Sequence, residues 1–209
     1  EKIIVNGDLK HEFGTISEQE WRLTLRLLDF LGKHCKEVIL IKGNHDTILG
    51  PIAQKRNVRI LEHYLIESKA PILKKTIKNP IKKISINKRL LKILNDKKIK
   101  NNEGNVLVIH GDKIPGKEIL DNASTIVIGH EHPAVSIKEG PRAELFKCYL
   151  VGKWKNKNLI VLPSFNLVNE GSDVLKEEIL SPFLRQNLRN FDVFVVADKV
   201  YGFGKLRDL

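Results

Sequence analysis

The sequence predicts an α/β fold, a layered α/β/β/α double-sheet sandwich, and two patterns support this fold class. First, four apolar runs of three or four residues each end at a short polar peptide, which is typical of buried parallel strands. Second, the chain from Pro133 onward consists mostly of short strand-like segments separated by turn residues, which predicts a second sheet packed on the first. The four apolar runs are residues 3–5, 38–41, 106–109 and 126–128.

Three helices are expected between the strands, and the first has the clearest signal. Ser17 and Glu20 form the pattern of a capping box, in which each side chain accepts the backbone N–H of the other residue. Apolar residues at helical spacing follow, so an amphipathic helix over 18–34 should pack on a sheet. Shorter helices are expected at 51–57, where a proline suits the first turn, and at 117–122. Further strands are predicted at residues 58–61, 64–66, 134–137, 146–151, 159–162, 193–196 and 200–203.

The net charge of +11 comes from one segment of the chain. Twelve of the 36 basic residues but only one of the 25 acidic residues lie between 69 and 100, so the remainder is neutral. The segment also interrupts the α/β rhythm, and we expect one domain over 1–209 with a Lys-rich insertion or lid at 68–104, in which Asn87 could cap a helix. Lysines neutralise nucleic-acid phosphates, which favours contact with a polyanion. The alternative is a compositional bias, since Lys, Ile and Asn are enriched throughout and the segment has no base-stacking aromatic residue.

Composition and cysteine content limit the class of protein further. A length of 209 residues suffices for one domain with a full core. The apolar runs stay well below the roughly 20 residues that a membrane-spanning helix needs, so no membrane partner is expected. Cys35 and Cys148 show no metal-binding spacing, and two reduced thiols are favoured over a disulfide. We therefore expect a cytoplasmic protein.

The polar peptides that end the four apolar runs predict a metal site. The carboxyl ends of parallel strands converge on one crevice, so the side chains of these peptides should meet there. Carboxylate, carboxamide and imidazole groups together suit a two-metal centre that hydrolyses phosphoesters. Gly7-Asp8 alone is typical of many turns, whereas in Gly129-His130-Glu131-His132 an extended backbone would point both histidines the same way. The candidate residues are Asp8, Asn44, His45, Asp46, His110, His130 and His132.

These motifs carry a resemblance to a known family. The order GD, GNHD, H and GHxH resembles the calcineurin-like metallophosphoesterase superfamily, which has a two-metal site on a double-sheet sandwich. The longer peptides resemble one branch, the archaeal ICC-like, DNA-ligase-associated phosphoesterases. Those peptides are GDLKHEFG at 7–14, HGDK at 110–113, GHEHP at 129–133 and LIVLPSFN at 159–166.

The resemblance implies a role for each candidate residue. Asp8 would bridge the two metals, and His132 would bind the first of them. Asn44, His110 and His130 would bind the second metal. His45 would act as the acid or stabilise the transition state beside the leaving group, and Asp46 would orient its imidazole. The metals implied are two divalent ions, with Mn favoured and Fe, Zn or Ni as alternatives. Nearby His11 and Glu12 are as well explained by a polar loop as by a substrate contact.

One departure from the family pattern concerns the first metal. The family's Asp-x-His motif lies on a strand upstream of the GD peptide, and here that strand would precede Glu1. We expect an upstream portion to supply it. If this motif were truly absent, Asp8 and His132 alone would hold the first metal weakly, and residues 1–209 would be weak or inactive.

The sequence leaves three functions open. The leading hypothesis is a metal-dependent phosphodiesterase or nuclease that acts on nucleic acid, possible partners being DNA and DNA-repair or ligase-associated proteins. The second is a small-molecule phosphatase or nucleotide phosphodiesterase with the same site. The third is a catalytically weak scaffold that binds nucleic acid through its basic segment. Oligomeric state is not predicted.

Overall fold

A computed structural model describes residues 1–9, 17–46, 49–56, 58–68 and 104–209. The described chain forms two β-sheets with helices outside them. Residues 69–103 of the basic insertion, with the predicted Asn87-capped helix, lie outside the described residues, as do His11 and Glu12. The residues on either side of the insertion lie close together, since the Ser68 backbone N–H donates to the side-chain oxygen of Asn105 at 3.0 Å.

Among the described residues, the smaller sheet has three parallel strands in the order β1-β2-β3. These strands are β1 (Lys2–Asn6), β2 (Glu37–Ile41) and β3 (Arg59–Leu61). Alternate residues of β2 face opposite sides, as expected for a strand buried on both faces. Val38 and Leu40 pack against the helical layer, whereas Ile39 and Ile41 face the second sheet.

In the described part of the chain, the larger sheet has nine strands. Its main order is β10-β7-β8-β9-β6-β5-β4, with β11 paired to β8 and β12 paired to β11. Strands β5, β6 and β9 run parallel to one another, while β4 runs antiparallel to β5. The strands are β4 (His63–Ile66), β5 (Val106–Ile109), β6 (Thr125–Ile128), β7 (Pro133–Glu139), β8 (Arg142–Trp154), β9 (Lys157–Val161), β10 (Ser172–Asp173), β11 (Asp192–Val196) and β12 (Val200–Lys205).

The two sheets pack face to face through a small apolar core. Ile39 and Ile41 of β2 are almost fully buried against Val108 of β5. Val127 of β6 packs against the same cluster, so strands of both sheets contribute to it. Burial of such side chains is worth about 1.5–3 kcal/mol each, which makes this core a main source of adhesion between the sheets.

Helices and loops cover the outer faces. Helix α1 (Glu18–His34) packs on the smaller sheet, and its Ser17–Glu20 capping box is formed as predicted. Helix α2 (Gly50–Arg56) is held to α1 by the Arg56–Asp29 ion pair. On the far side of the larger sheet, α3 (Lys117–Asp121) and the segment around the fully buried Phe183 cover the largest apolar core.

The layered α/β/β/α sandwich predicted from the sequence is therefore confirmed. The predicted helices and strands that fall on described residues are present to within a few residues at their ends. One detail differs: β5 and β6 belong to the same sheet as the late strands and not to the sheet of β1 and β2. Among the described residues, the structure has no helix that is both long enough and apolar enough to cross a membrane.

Candidate metal centre

The four polar peptides meet where strands of the two sheets end. Asp8 follows β1, and Asn44 and His45 follow β2, all from the smaller sheet. His110 and His130 follow β5 and β6 of the larger sheet. The crevice is therefore built from both sheets, with Asp8, Asn44 and His45 on one side and the imidazoles of His110 and His130 on the other.

Asp8 is the link between the two sides. Its Oδ1 accepts the backbone N–H of His45 at 3.0 Å, which fixes the Gly43–His45 turn against the carboxylate. Its Oδ2 lies 3.2 Å from Nε2 of His110. The two oxygens thus face different partners, one from each sheet.

Polar atoms converge on Nε2 of His110. Besides Asp8, Oδ1 of Asn44 and Nδ1 of His130 each lie 3.0 Å from it. Ligand atoms of Asp8, His110 and His130 all lie within 4.8 Å of one another. These four converging atoms, two oxygens and two ring nitrogens, carry few protons to share in hydrogen bonds. A divalent cation between them would accept a lone pair from each. The other ring nitrogen of His110 lies 3.4 Å from the Asn6 carbonyl oxygen, a contact that favours Nε2 as the ligand atom.

Two glycines make this approach possible. A Cβ atom at Gly7 would lie 2.1 Å from Nδ1 of His110, and one at Gly43 would lie 2.2 Å from Oδ1 of Asp8. Gly7 also has φ +81°, a backbone conformation that side chains disfavour. Both glycines are thus required by the close packing of the crevice, and the donor set fits a divalent metal.

The imidazoles of the crevice differ in the direction in which their pKa values are shifted. Burial acts to raise the pKa of Asp8, but the hydrogen bond and charge of His110 outweigh it and lower this pKa below its usual value. Burial acts to lower the pKa of His110, and the Asp8 carboxylate reverses this and raises it. The pKa values of His130 and His132 are both lowered, chiefly by burial; the charge of His110 adds to this effect and the charge of Asp8 opposes it. His130 and His132 are therefore biased toward the neutral form that binds metals.

Comparison with known proteins decides the family. A family model described as calcineurin-like phosphoesterase matches residues 1–193. The chain belongs to this family. Calcineurin-like phosphoesterases are hydrolases that typically bind divalent metals, in agreement with the donor set of the crevice. No curated protein matches the chain.

Solved structures agree on the fold. The crystal structure of Pseudomonas putida nuclease MPE matches with a TM-score of 0.53 and 15% identity, covering 97% of this chain and 70% of that one. A single mutant of Vps29 from Entamoeba histolytica matches with a TM-score of 0.29 and 15% identity, covering 94% and 86%. The first likeness supports the calcineurin-like phosphoesterase fold, and the second is too low to add to it.

The candidate residues at the margin of the crevice are also located. His132 has φ +49°, and its Nδ1 lies 3.3 Å from Nδ2 of Asn169. His132 does not belong to the group of Asp8, His110 and His130 whose ligand atoms lie within 4.8 Å of one another. Asp46 is 2% exposed and accepts the backbone N–H of Gly43 at 3.0 Å, which closes the turn that carries His45.

Three further residues around the phosphoesterase crevice were not predicted from the sequence. Glu131, between the two histidines of the GHEH peptide, is 1% exposed and accepts the backbone N–H groups of Leu180 and Ser181. Asn169 reaches His132 from a distant loop. Both polar side-chain atoms of Asn6 are buried without a partner among the described residues, so a water or ligand is expected beside them. Only Glu131 lay within a predicted motif, the GHEH peptide.

Proposed function

We propose that this calcineurin-like phosphoesterase is a two-metal phosphodiesterase that cleaves nucleic acid. The observation that carries the proposal is the convergence of Asp8, His110 and His130, which come from strands of both sheets, to within 4.8 Å. Two divalent ions, Mn in the first instance, would activate a water and neutralise charge on the phosphoryl oxygens.

In this proposal the carboxylate of Asp8 would be a ligand of both metals. Its Oδ1 and Oδ2 face different partners, His45 and His110, which supports that role. Asn44 would bind the second metal together with His110 and His130, and the short distances among these three side chains support a common ligand. His132 would bind the first metal.

His45 is proposed as the acid or as the group that stabilises charge beside the leaving oxygen. Its backbone is tied to Asp8, so its imidazole is carried by the same turn that holds the bridging carboxylate. Asp46 would orient this imidazole, and its buried carboxylate also fixes the turn by accepting the Gly43 N–H. The expected consequence is that His45 acts on the substrate and not on metal binding.

Three features support nucleic acid as the substrate. The segment 69–100 carries the whole net charge of +11, which would attract a polyanion. The structural neighbour with the higher TM-score is a nuclease. The motif resemblance to ligase-associated phosphoesterases favours DNA, with DNA-repair proteins as partners.

The decisive experiment compares substrates in the metal-loaded protein. Single-stranded DNA, duplex DNA, bis-p-nitrophenyl phosphate and p-nitrophenyl phosphate are incubated with Mn²⁺, and with chelator as the control. We expect the diesters and DNA to be hydrolysed only with metal, and the His130→Ala variant to lose this activity. Hydrolysis of the monoester alone would contradict the proposal and favour a small-molecule phosphatase.

A further inference from the structure

The loop between β9 and β10, residues 162–171, presents three exposed apolar side chains beside the crevice. Phe165 is 96% exposed, Leu167 94% and Val168 88%. Adjacent apolar side chains this exposed are uncommon on a folded surface and mark contact sites. We call this segment the apolar loop.

Both ends of the apolar loop are fixed to the GHEH peptide. The backbone N–H of Leu162 donates to the Ile128 carbonyl at 2.8 Å, directly before that peptide. The backbone N–H of Ser172 donates to the His132 carbonyl at 3.0 Å, at its other end. The side chain of Asn169 adds the contact with the His132 ring at 3.3 Å. The loop therefore spans the peptide that carries two of the proposed metal ligands.

The tip of the loop is held by hydrogen bonds from a neighbouring strand and by one within the loop itself. The ammonium of Lys147, on β8, donates to the backbone carbonyls of Ser164 and Asn166, on either side of Phe165. The Asn166 side chain accepts the Val168 N–H at 3.0 Å. Loop and side chains are thus presented in a defined conformation, although the apolar groups themselves bury little surface within the protein.

The position of the loop indicates what it binds. Phe165 is four residues from Asn169, so its backbone lies at most about 14 Å from the residue that touches His132. The groups attached to a phosphodiester bound at the crevice would extend over a comparable distance and could reach the loop. In a nucleic acid, the groups next to the scissile phosphate are bases, and unpaired bases stack on aromatic side chains regardless of sequence.

We propose that the apolar loop is the base-binding platform of the phosphoesterase, with Phe165 stacking on an unpaired base next to the scissile phosphate. Leu167 and Val168 supply apolar contact to the same or the adjacent nucleotide. The inference rests on the proposed function and adds a substrate class to it, a strand with unstacked bases. It also gives the protein the aromatic contact that segment 69–100 lacks.

Binding without turnover tests this inference. A short fluorescent single strand and an abasic strand of equal length are titrated with the full chain in chelator, and anisotropy is measured. We expect Phe165→Ala to weaken binding of the base-bearing strand about 5- to 100-fold and to leave the abasic strand unchanged. Phe165→Trp should restore binding. Phe30→Ala is the matched control, since Phe30 is an exposed aromatic residue on α1 at 57% exposure.

Each other result has a defined meaning. Equal effects of Phe165→Ala on both strands, or no effect, would overturn the inference, and so would failure of the wild type to bind the base-bearing strand. Loss of self-association in Phe165→Ala by sedimentation, with strand binding intact, would overturn it in favour of a protein contact. The expected binding pattern without cleavage of any strand by the metal-loaded wild type would retain the platform and reject the proposed nuclease activity.

Discussion

The carboxylate of Glu131 accepts the backbone N–H of Ser181 at 2.7 Å, joining residues fifty positions apart in the buried interior. The Ser181 hydroxyl in turn donates to the Gly111 carbonyl at 2.7 Å. Gly111 follows His110, and Glu131 separates His130 from His132. One short segment therefore braces both histidine-bearing peptides from behind.

The first prediction concerns this brace. Glu131→Ala removes the acceptor of two N–H groups, one of them buried, and should lower the free energy of unfolding by about 2–4 kcal/mol. Urea denaturation measures the change. Glu178→Ala, at an exposed site, is the control and should stay within about 0.5 kcal/mol of the wild type. A Glu131→Ala variant as stable as this control would show that the brace is dispensable.

The second prediction separates metal binding from acid catalysis. His45→Ala should lower turnover by about 10²–10⁴-fold while keeping its metal, because its proposed role is toward the leaving group. Asp8→Ala and His110→Ala should lose metal, since each removes a group of the converging donor set. Elemental analysis of the purified variants gives the metal content. The same metal loss in all three variants would refute the division of roles.

The third prediction compares alanine substitutions at a crowded glycine, Gly43, and at a glycine with open space around it, Gly32. Gly43→Ala would place a Cβ 2.2 Å from Oδ1 of Asp8 and 2.4 Å from its backbone nitrogen, so the crevice must widen and metal affinity should fall. Gly32→Ala, inside α1 with open space around it, should keep the metal and gain about 0.5–1 kcal/mol of stability. Metal titration and urea denaturation measure the two effects. Equal affinity in both variants would contradict the crowding argument.

The fourth prediction is a dependence of stability on pH. Burial acts to raise the pKa of Asp173, but hydrogen bonds from Ser136 and Lys176 outweigh it and lower this pKa. Because the folded value lies below the unfolded value of about 3.9, the stabilisation is complete above that pH and is lost as the pH falls toward the folded value. Asp173→Asn should therefore show a flatter acid-side stability profile than the wild type.

Unfolding monitored by circular dichroism between about pH 5 and 2 measures this profile. Ser136→Ala, which removes one donor to the carboxylate, should fall between the wild type and Asp173→Asn. Parallel profiles in all three proteins would show that Asp173 makes no net contribution.

The sequence predicted those features that depend on neighbours along the chain. The Ser17–Glu20 capping box and helix α1 have a local pattern, and both are present. Each apolar run ends at its polar peptide, so the order of strands and site peptides was readable as well. The metal and catalytic roles of the site residues stay predictions.

Features that depend on distant contacts were not readable. Strands β5 and β6 are apolar on both faces, and this pattern cannot indicate which sheet they join. Asn169 and Ser181 lie in turn-rich segments with no periodicity, and only the folded chain brings them to the histidine peptides. The exposure of Phe165 was equally hidden, because an aromatic residue after a strand usually enters the core.

The division of the crevice between two sheets has a consequence for how such a centre is tuned. Asp8 belongs to one sheet and His110 to the other, so their separation is set by the thickness of the apolar layer between the sheets. Exchanging Ile41 or Val108 for a smaller or larger residue would alter that thickness without touching a ligand. A preference for one ionic radius over another can therefore evolve in the hydrophobic interior while all the coordinating residues stay the same.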